Sequence, residues 1–113
     1  MSAVAAELRT RGYCRSMLRH VVLLKFTDEA TDADVQAIIE GLEGLPAIIP
    51  EIESYSVGVD AGISEGNVSF AIVGEFADAA AYEVYAQNSV HLDVIATRIK
   101  PFVAQRTAVQ YEV

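Results

Sequence analysis

Two short runs in this chain are apolar on both faces, and that limits what it can fold into. In HVVLLKF (residues 20–26), His20, Val22, Leu24 and Phe26 share one parity, and Val21 and Leu23 share the other. VSFAIVGEF (residues 68–76) repeats the pattern. β-Branched and aromatic residues favour extended backbone, and a strand apolar on both sides needs cover on both. The other elements decide how that cover is supplied.

TDADVQAIIEGLEGL (31–45) reads as a helix. Thr31 and Asp34 form a candidate capping box, and Val35, Ile38, Ile39, Leu42 and Leu45 fall along one stripe. Pro46 to Pro50 closes the connection. YSVGV (55–59) alternates, with Tyr55, Val57 and Val59 on one side, and the glycines and asparagine of residues 62–67 predict a turn. Asp78 can cap a helix running through Tyr82 and Tyr85 to about Gln87. Ser89 can cap a shorter one to about Arg98, stopped before Pro101. FVAQRTAVQYEV (102–113) alternates again, with Val103, Thr107, Val109, Tyr111 and Val113 on one side.

The order is β-α-β-β-α-β, an α+β, ferredoxin-like plan with a four-stranded antiparallel sheet. Both helices lie on one face of such a sheet. The other face stays bare, although the central strands are apolar there too. An exposed apolar face of that size marks an interface, so the pattern predicts a homodimer whose sheets pack face to face into a dimeric α+β barrel. Residues 1–17 read as an N-terminal extension and 18–113 as the domain.

Charge narrows the partners. The 113 residues carry a net charge of −8, and Arg9, Arg11, Arg15 and Arg19 are half of the eight basic residues. From His20 onward there are four basic and fifteen acidic residues. Such a body repels phosphate backbones, so nucleic acid is not an expected partner. No apolar run approaches the roughly 18 residues that cross a bilayer, and the first residues lack the layout of a signal peptide. The lone Cys14 fits a reducing compartment. A cytoplasmic protein with no membrane partner is the expectation. Two histidines and one cysteine offer no zinc-ligand cluster, and Gly41, Gly44 and Gly58 make no phosphate-binding loop.

YAQNSVH (85–91) is the stretch with chemical content. Tyr85 ends one predicted helix and His91 begins the next, so a kink between them can aim both at one pocket. A base that removes a proton next to a carbonyl must be neutral at working pH. In the first turn of a helix, the positive end of the dipole disfavours imidazolium. A tyrosine hydroxyl can donate to a developing enolate oxygen. The same two residues can equally be packing groups with satisfied polar tips. His20, alternating with Val22 and Leu24, can likewise be a satisfied core histidine.

Taken in order, these motifs resemble the stress-responsive A/B barrel (Dabb) domain. HVVLLKF looks like that family's first strand, H-x-x-x-x-K-F. Ile49-Pro50-x-Ile52 and Gly58 are similar to its second connection and strand. Tyr85-Ala-Gln-Asn88-Ser89-Val-His91 resembles its Y-x-x-H-P-x-H, with Ile99 and Pro101 following. Val109-Gln110-Tyr111 resembles its apolar-Asp-Tyr ending. The resemblance spans residues 18–113. It departs from the family where Asn88-Ser89 replaces His-Pro, which removes one possible acid, base or ligand.

The resemblance implies a pocket between helices and sheet for a small, largely apolar oxygenated molecule. By analogy with the family's plant polyketide cyclases, it implies cofactor-free cyclase or lyase chemistry with His91 as base and Tyr85 as hydrogen-bond donor. His20, Val22, Leu24 and Asn88 would contact the substrate. Some members hold a magnesium ion through main-chain carbonyls, which would be those of Pro46, Ile49 and Ile52 here, in a structural role. A non-catalytic ligand-binding or structural oligomer is the alternative, and a cofactor-free oxygenase a lesser one.

Overall fold

The computed structural model describes residues 17–113. The extension, with Cys14 and the arginines at 9, 11 and 15, lies outside the described residues apart from Met17. The elements are β1 (Leu18–Phe26), α1 (Asp32–Glu43), β2 (Ile52–Val59), β3 (Phe70–Phe76), α2 (Ala79–Gln87), α3 (Ser89–Val94) and β4 (Val103–Glu112). The sheet is antiparallel throughout, in the order β2-β3-β1-β4. This is the ferredoxin-like plan expected from the pattern.

Local chemistry sets the helix starts. Thr31 Oγ1 accepts from the Asp34 amide at 3.2 Å while Asp34 Oδ2 accepts from the Thr31 amide at 2.9 Å, a complete capping box. Asp78 Oδ1 caps α2 through the Ala81 amide. The third start differs from expectation. Asn88, not Ser89, caps α3: its backbone is extended and its Oδ1 accepts from the amides of Val90 and His91. Nor does this helix run regularly to Arg98. A π-helical turn (Ile95–Ile99) and a 3-10 turn (Lys100–Phe102) follow α3. Arg98 ties the π turn to α1 by donating to the Ala37 carbonyl at 2.7 Å. Gly41 gives it passage, since a Cβ there would sit 2.9 Å from Arg98 Cδ.

The core lies between the helices and one face of the sheet. Val22, Leu24, Phe70, Ile72 and Phe76 rise from the strands against Ile38, Leu42, Tyr85 and Val94. Phe76, Phe70 and Ile38 are at most 1% exposed. The opposite parity builds a second surface from Val21 and Leu23 on β1, Ala71 and Val73 on β3, and Val109 on β4. No helix covers it among the described residues, and Val109 is 54% exposed. The edge strand β4 is also uncovered on the helix side, where Arg106, Ala108 and Gln110 stay exposed. No helix among the described residues is long and apolar enough to cross a membrane.

Candidate functional site

Register gathers the polar groups on one row across the sheet. Tyr55 on β2 faces Gly74 on β3, Gly74 faces His20 on β1, and His20 faces Gln110 on β4. All four share the helix side. Gly74 leaves its place to its neighbour's ring: a Cβ there would meet Tyr55 Cδ1 and Phe76 Cε2 at 3.2 Å. The next row along the floor is apolar, Val57-Ile72-Val22-Ala108, and the third is Val59-Phe70-Leu24-Arg106.

Above this floor, α2, α3 and the π turn roof a cavity of about 150 Å³. His20, Val22, Leu24, Tyr82, Tyr85, His91, Ile95 and Arg106 are among its walls. The cavity therefore brings together five of the six pocket residues expected from sequence. Asn88 is not on the wall, and its side-chain oxygen is engaged in capping α3.

Tyr85 and His91 are in ring contact, with centroids 4.1 Å apart and planes inclined at 32°. The Asn88 cap makes this possible, because it turns the chain between the two residues and starts α3 with His91 in its first turn. Burial lowers the His91 pKa below the ordinary histidine value, although the Ala86 and Tyr85 backbone groups pull the other way. Its Nδ1 lies 3.2 Å from the Ala86 carbonyl. A carbonyl only accepts, so Nδ1 carries the proton and Nε2 keeps its lone pair. His20 has the opposite arrangement. Gln110 Nε2 donates to His20 Nδ1 at 2.7 Å, which leaves the His20 proton on Nε2. Burial first, then Arg106 and His91, lowers its pKa to about 4. At neutral pH the cavity thus holds two uncharged histidines, one set to donate and one to accept.

The Tyr85 hydroxyl lies 2.8 Å from that of Tyr55. Burial raises both phenol pKa values, so both hold their protons. The two hydroxyls share this one hydrogen bond, and either oxygen can be its donor. With Tyr55 as the donor, Tyr85, the partner that lines the cavity, keeps its own hydrogen available. Tyr82 packs on the His20 ring at 4.8 Å.

Tyr55, Gln110 and Arg106 were not singled out from sequence. Gln110 and Arg106 share a parity on β4, and only the β1–β4 register brings them beside His20 and Leu24. At the expected magnesium position, the Ile49 carbonyl accepts the Ile52 amide at 3.2 Å. Pro46, Ile49 and Ile52 bring no carboxylate, so an ion there would rest on neutral carbonyls, of which that of Ile49 keeps a second lone pair. Among the described residues no three His, Cys, Asp or Glu side chains gather to hold a metal.

An antiparallel four-stranded sheet with its helices on one face defines a class, the ferredoxin-like α+β proteins. The sequence profile of the stress responsive A/B barrel domain (Dabb) matches residues 18–113, and the chain belongs to that family. No functionally curated protein matches it in sequence. Among solved structures, a dimeric ferredoxin-like protein of unknown function from Thermobifida fusca is 34% identical, with a TM-score of 0.80 over 86% of this chain and 91% of that one. A Dabb family protein from Mesorhizobium loti is 20% identical, with a TM-score of 0.72 over 86% and 96%. A hydroxynitrile lyase from Passiflora edulis is 18% identical, with a TM-score of 0.77 over 88% and 94%.

Proposed function

We propose that this chain binds a small, largely apolar oxygenated molecule in the cavity and acts on it by acid–base chemistry. The observation that carries this reading is the pair of uncharged histidines in opposite tautomers beside the Tyr85 phenol. His91 Nε2 takes a proton from the carbon next to a carbonyl. The C–H electrons move into the carbon–carbon bond, and the carbonyl oxygen becomes an enolate. Tyr85, with its oxygen held by Tyr55, donates to that oxygen, and the His20 Nε2–H is a second donor. The sheet floor of Val22, Leu24 and Ile72 keeps the reacting region dry, which strengthens each of these contacts. The hydroxynitrile lyase shares the fold at an identity that speaks for the fold alone.

Acetophenone is a ring-sized ketone with exchangeable α-protons and serves as the probe. In D₂O, the protein should accelerate loss of its methyl proton signals. General base catalysis contributes about 10²–10⁴-fold, so His91→Ala should remove most of the acceleration while leaving the fold intact. Tyr85→Phe should cost about tenfold or more. Binding without accelerated exchange, with His91→Ala changing affinity alone, makes the protein a non-catalytic binder.

The chain also acts, in this proposal, as a homodimer joined through the open face of Val21, Leu23, Val73 and Val109. The Thermobifida fusca and Bacteroides fragilis relatives are described as dimeric, and the face is apolar without cover among the described residues.

A further inference from the structure

The floor of the cavity changes character along the strands, and the change points to a two-ended ligand. The Tyr55-Gly74-His20-Gln110 row is polar and neutral, the middle row is apolar, and the third row ends in Arg106. Four steps along β1 lead from His20 to Leu24, roughly 13 Å of strand, a span that one substituted ring and the long Arg106 side chain bridge. Arg106 lines the cavity but stays exposed, because β4 is uncovered on that side, and Lys100 lines the same mouth.

This placement runs against the charge of the molecule. Only four basic residues follow position 19, against fifteen acidic ones. Arg98 is engaged with the Ala37 carbonyl, yet Arg106 and Lys100 sit together at the cavity. Neither forms an ion pair among the described residues. In an acidic body, two cations held at the rim of an otherwise uncharged cavity select an anion.

We infer that the ligand carries a carboxylate at the end opposite its reacting oxygen. The oxygen lies at Tyr85 and His20, the apolar body crosses Val22 and Ile72, and the carboxylate reaches Arg106 and Lys100 at the mouth. This rests on the cavity reading proposed above. It adds an orientation, with the charged end outward and the carbon next to the carbonyl beneath His91.

The test compares 4-acetylbenzoate with 4-acetylbenzamide, which share a shape and differ in charge. Binding to the full chain is measured by calorimetry at low ionic strength. The benzoate should bind about tenfold more tightly or better, as expected for charge-assisted hydrogen bonds to Arg106. Arg106→Gln, and more fully Arg106→Gln with Lys100→Gln, should abolish that preference by lowering benzoate affinity far more than benzamide affinity. Both positions are exposed, and circular dichroism checks the fold of the variants. Equal binding of the two compounds overturns the carboxylate inference and leaves the cavity reading standing. A preference that survives the double substitution overturns the assignment to these residues. Failure of both compounds and of acetophenone to bind overturns the inference together with the cavity reading.

Discussion

The two faces of the sheet are built from the same strands, one residue out of phase, and they do opposite things. On the helix side, Leu24, Phe70 and Phe76 are packed to 2% exposure or less, and the polar guests His20 and Tyr85 each have a named partner. On the other side, Val21, Leu23, Ala71 and Val73 form an apolar surface that no helix covers among the described residues. Burial on the first face is supplied within the chain along β1 and β3, with β4 left open, and permits a cavity. In the proposed dimer, burial on the second comes from association, so a change there should alter assembly before it alters fold.

The largest contrast should come from Phe76→Ala. This ring is fully buried against Tyr82 and Tyr85, and its removal should cost about 3–5 kcal/mol in chemical denaturation. Next in size is Val73→Lys, at the centre of the open face opposite Val21 and Ser56. It should halve the mass seen in sedimentation with the circular dichroism spectrum retained. A wild-type chain that already sediments as a monomer would sink the dimer proposal.

Above about pH 5, where carboxylates stay ionised, a pH scan should act mainly on the helix face, because both histidines in the chain lie there. Burial holds each below the ordinary value, so the unfolded chain takes up protons that the folded chain refuses. The stability from keeping them neutral is whole above about pH 6.5 and is lost as the pH falls toward the His20 value of about 4. The loss should be on the order of 2 kcal/mol, and His20→Gln should flatten the slope. Between pH 6.5 and 5 the monomer–dimer balance should hold steady. The smallest effect belongs to the cap: Asn88→Ala should cost about 1 kcal/mol, Asn88→Ser much less, and neither should alter acetophenone binding at saturation of the folded protein.

Much of the fold could be read from short-range chemistry. The two-faced strands, the Thr31–Asp34 box and the Asp78 cap all depend on residues a few positions apart, where side-chain type and spacing carry the signal. At Asn88-Ser89 that signal is ambiguous, because both side chains are good caps and only the backbone turn decides between them. The site was half legible for a related reason. Tyr85 and His91 are six positions apart and announce each other. The groups that fix their chemistry do not: Tyr55 is 30 residues from Tyr85, and Gln110 is 90 residues from His20. Register brings them together, and no local pattern encodes register between strands so distant in the chain.

Gly74 shows where such a pocket is open to gradual change. It touches no ligand in the proposed chemistry, yet its missing side chain gives Tyr55 the room from which it holds the Tyr85 hydroxyl. A single added methyl would push on the Tyr55 ring and, through it, swing the donor that faces the bound molecule. Selectivity can therefore drift by inheritance of a change behind the wall, with every residue of the wall itself untouched. In a fold shared by proteins of such different description, a concealed hinge of this kind gives one scaffold a cheap route to new chemistry.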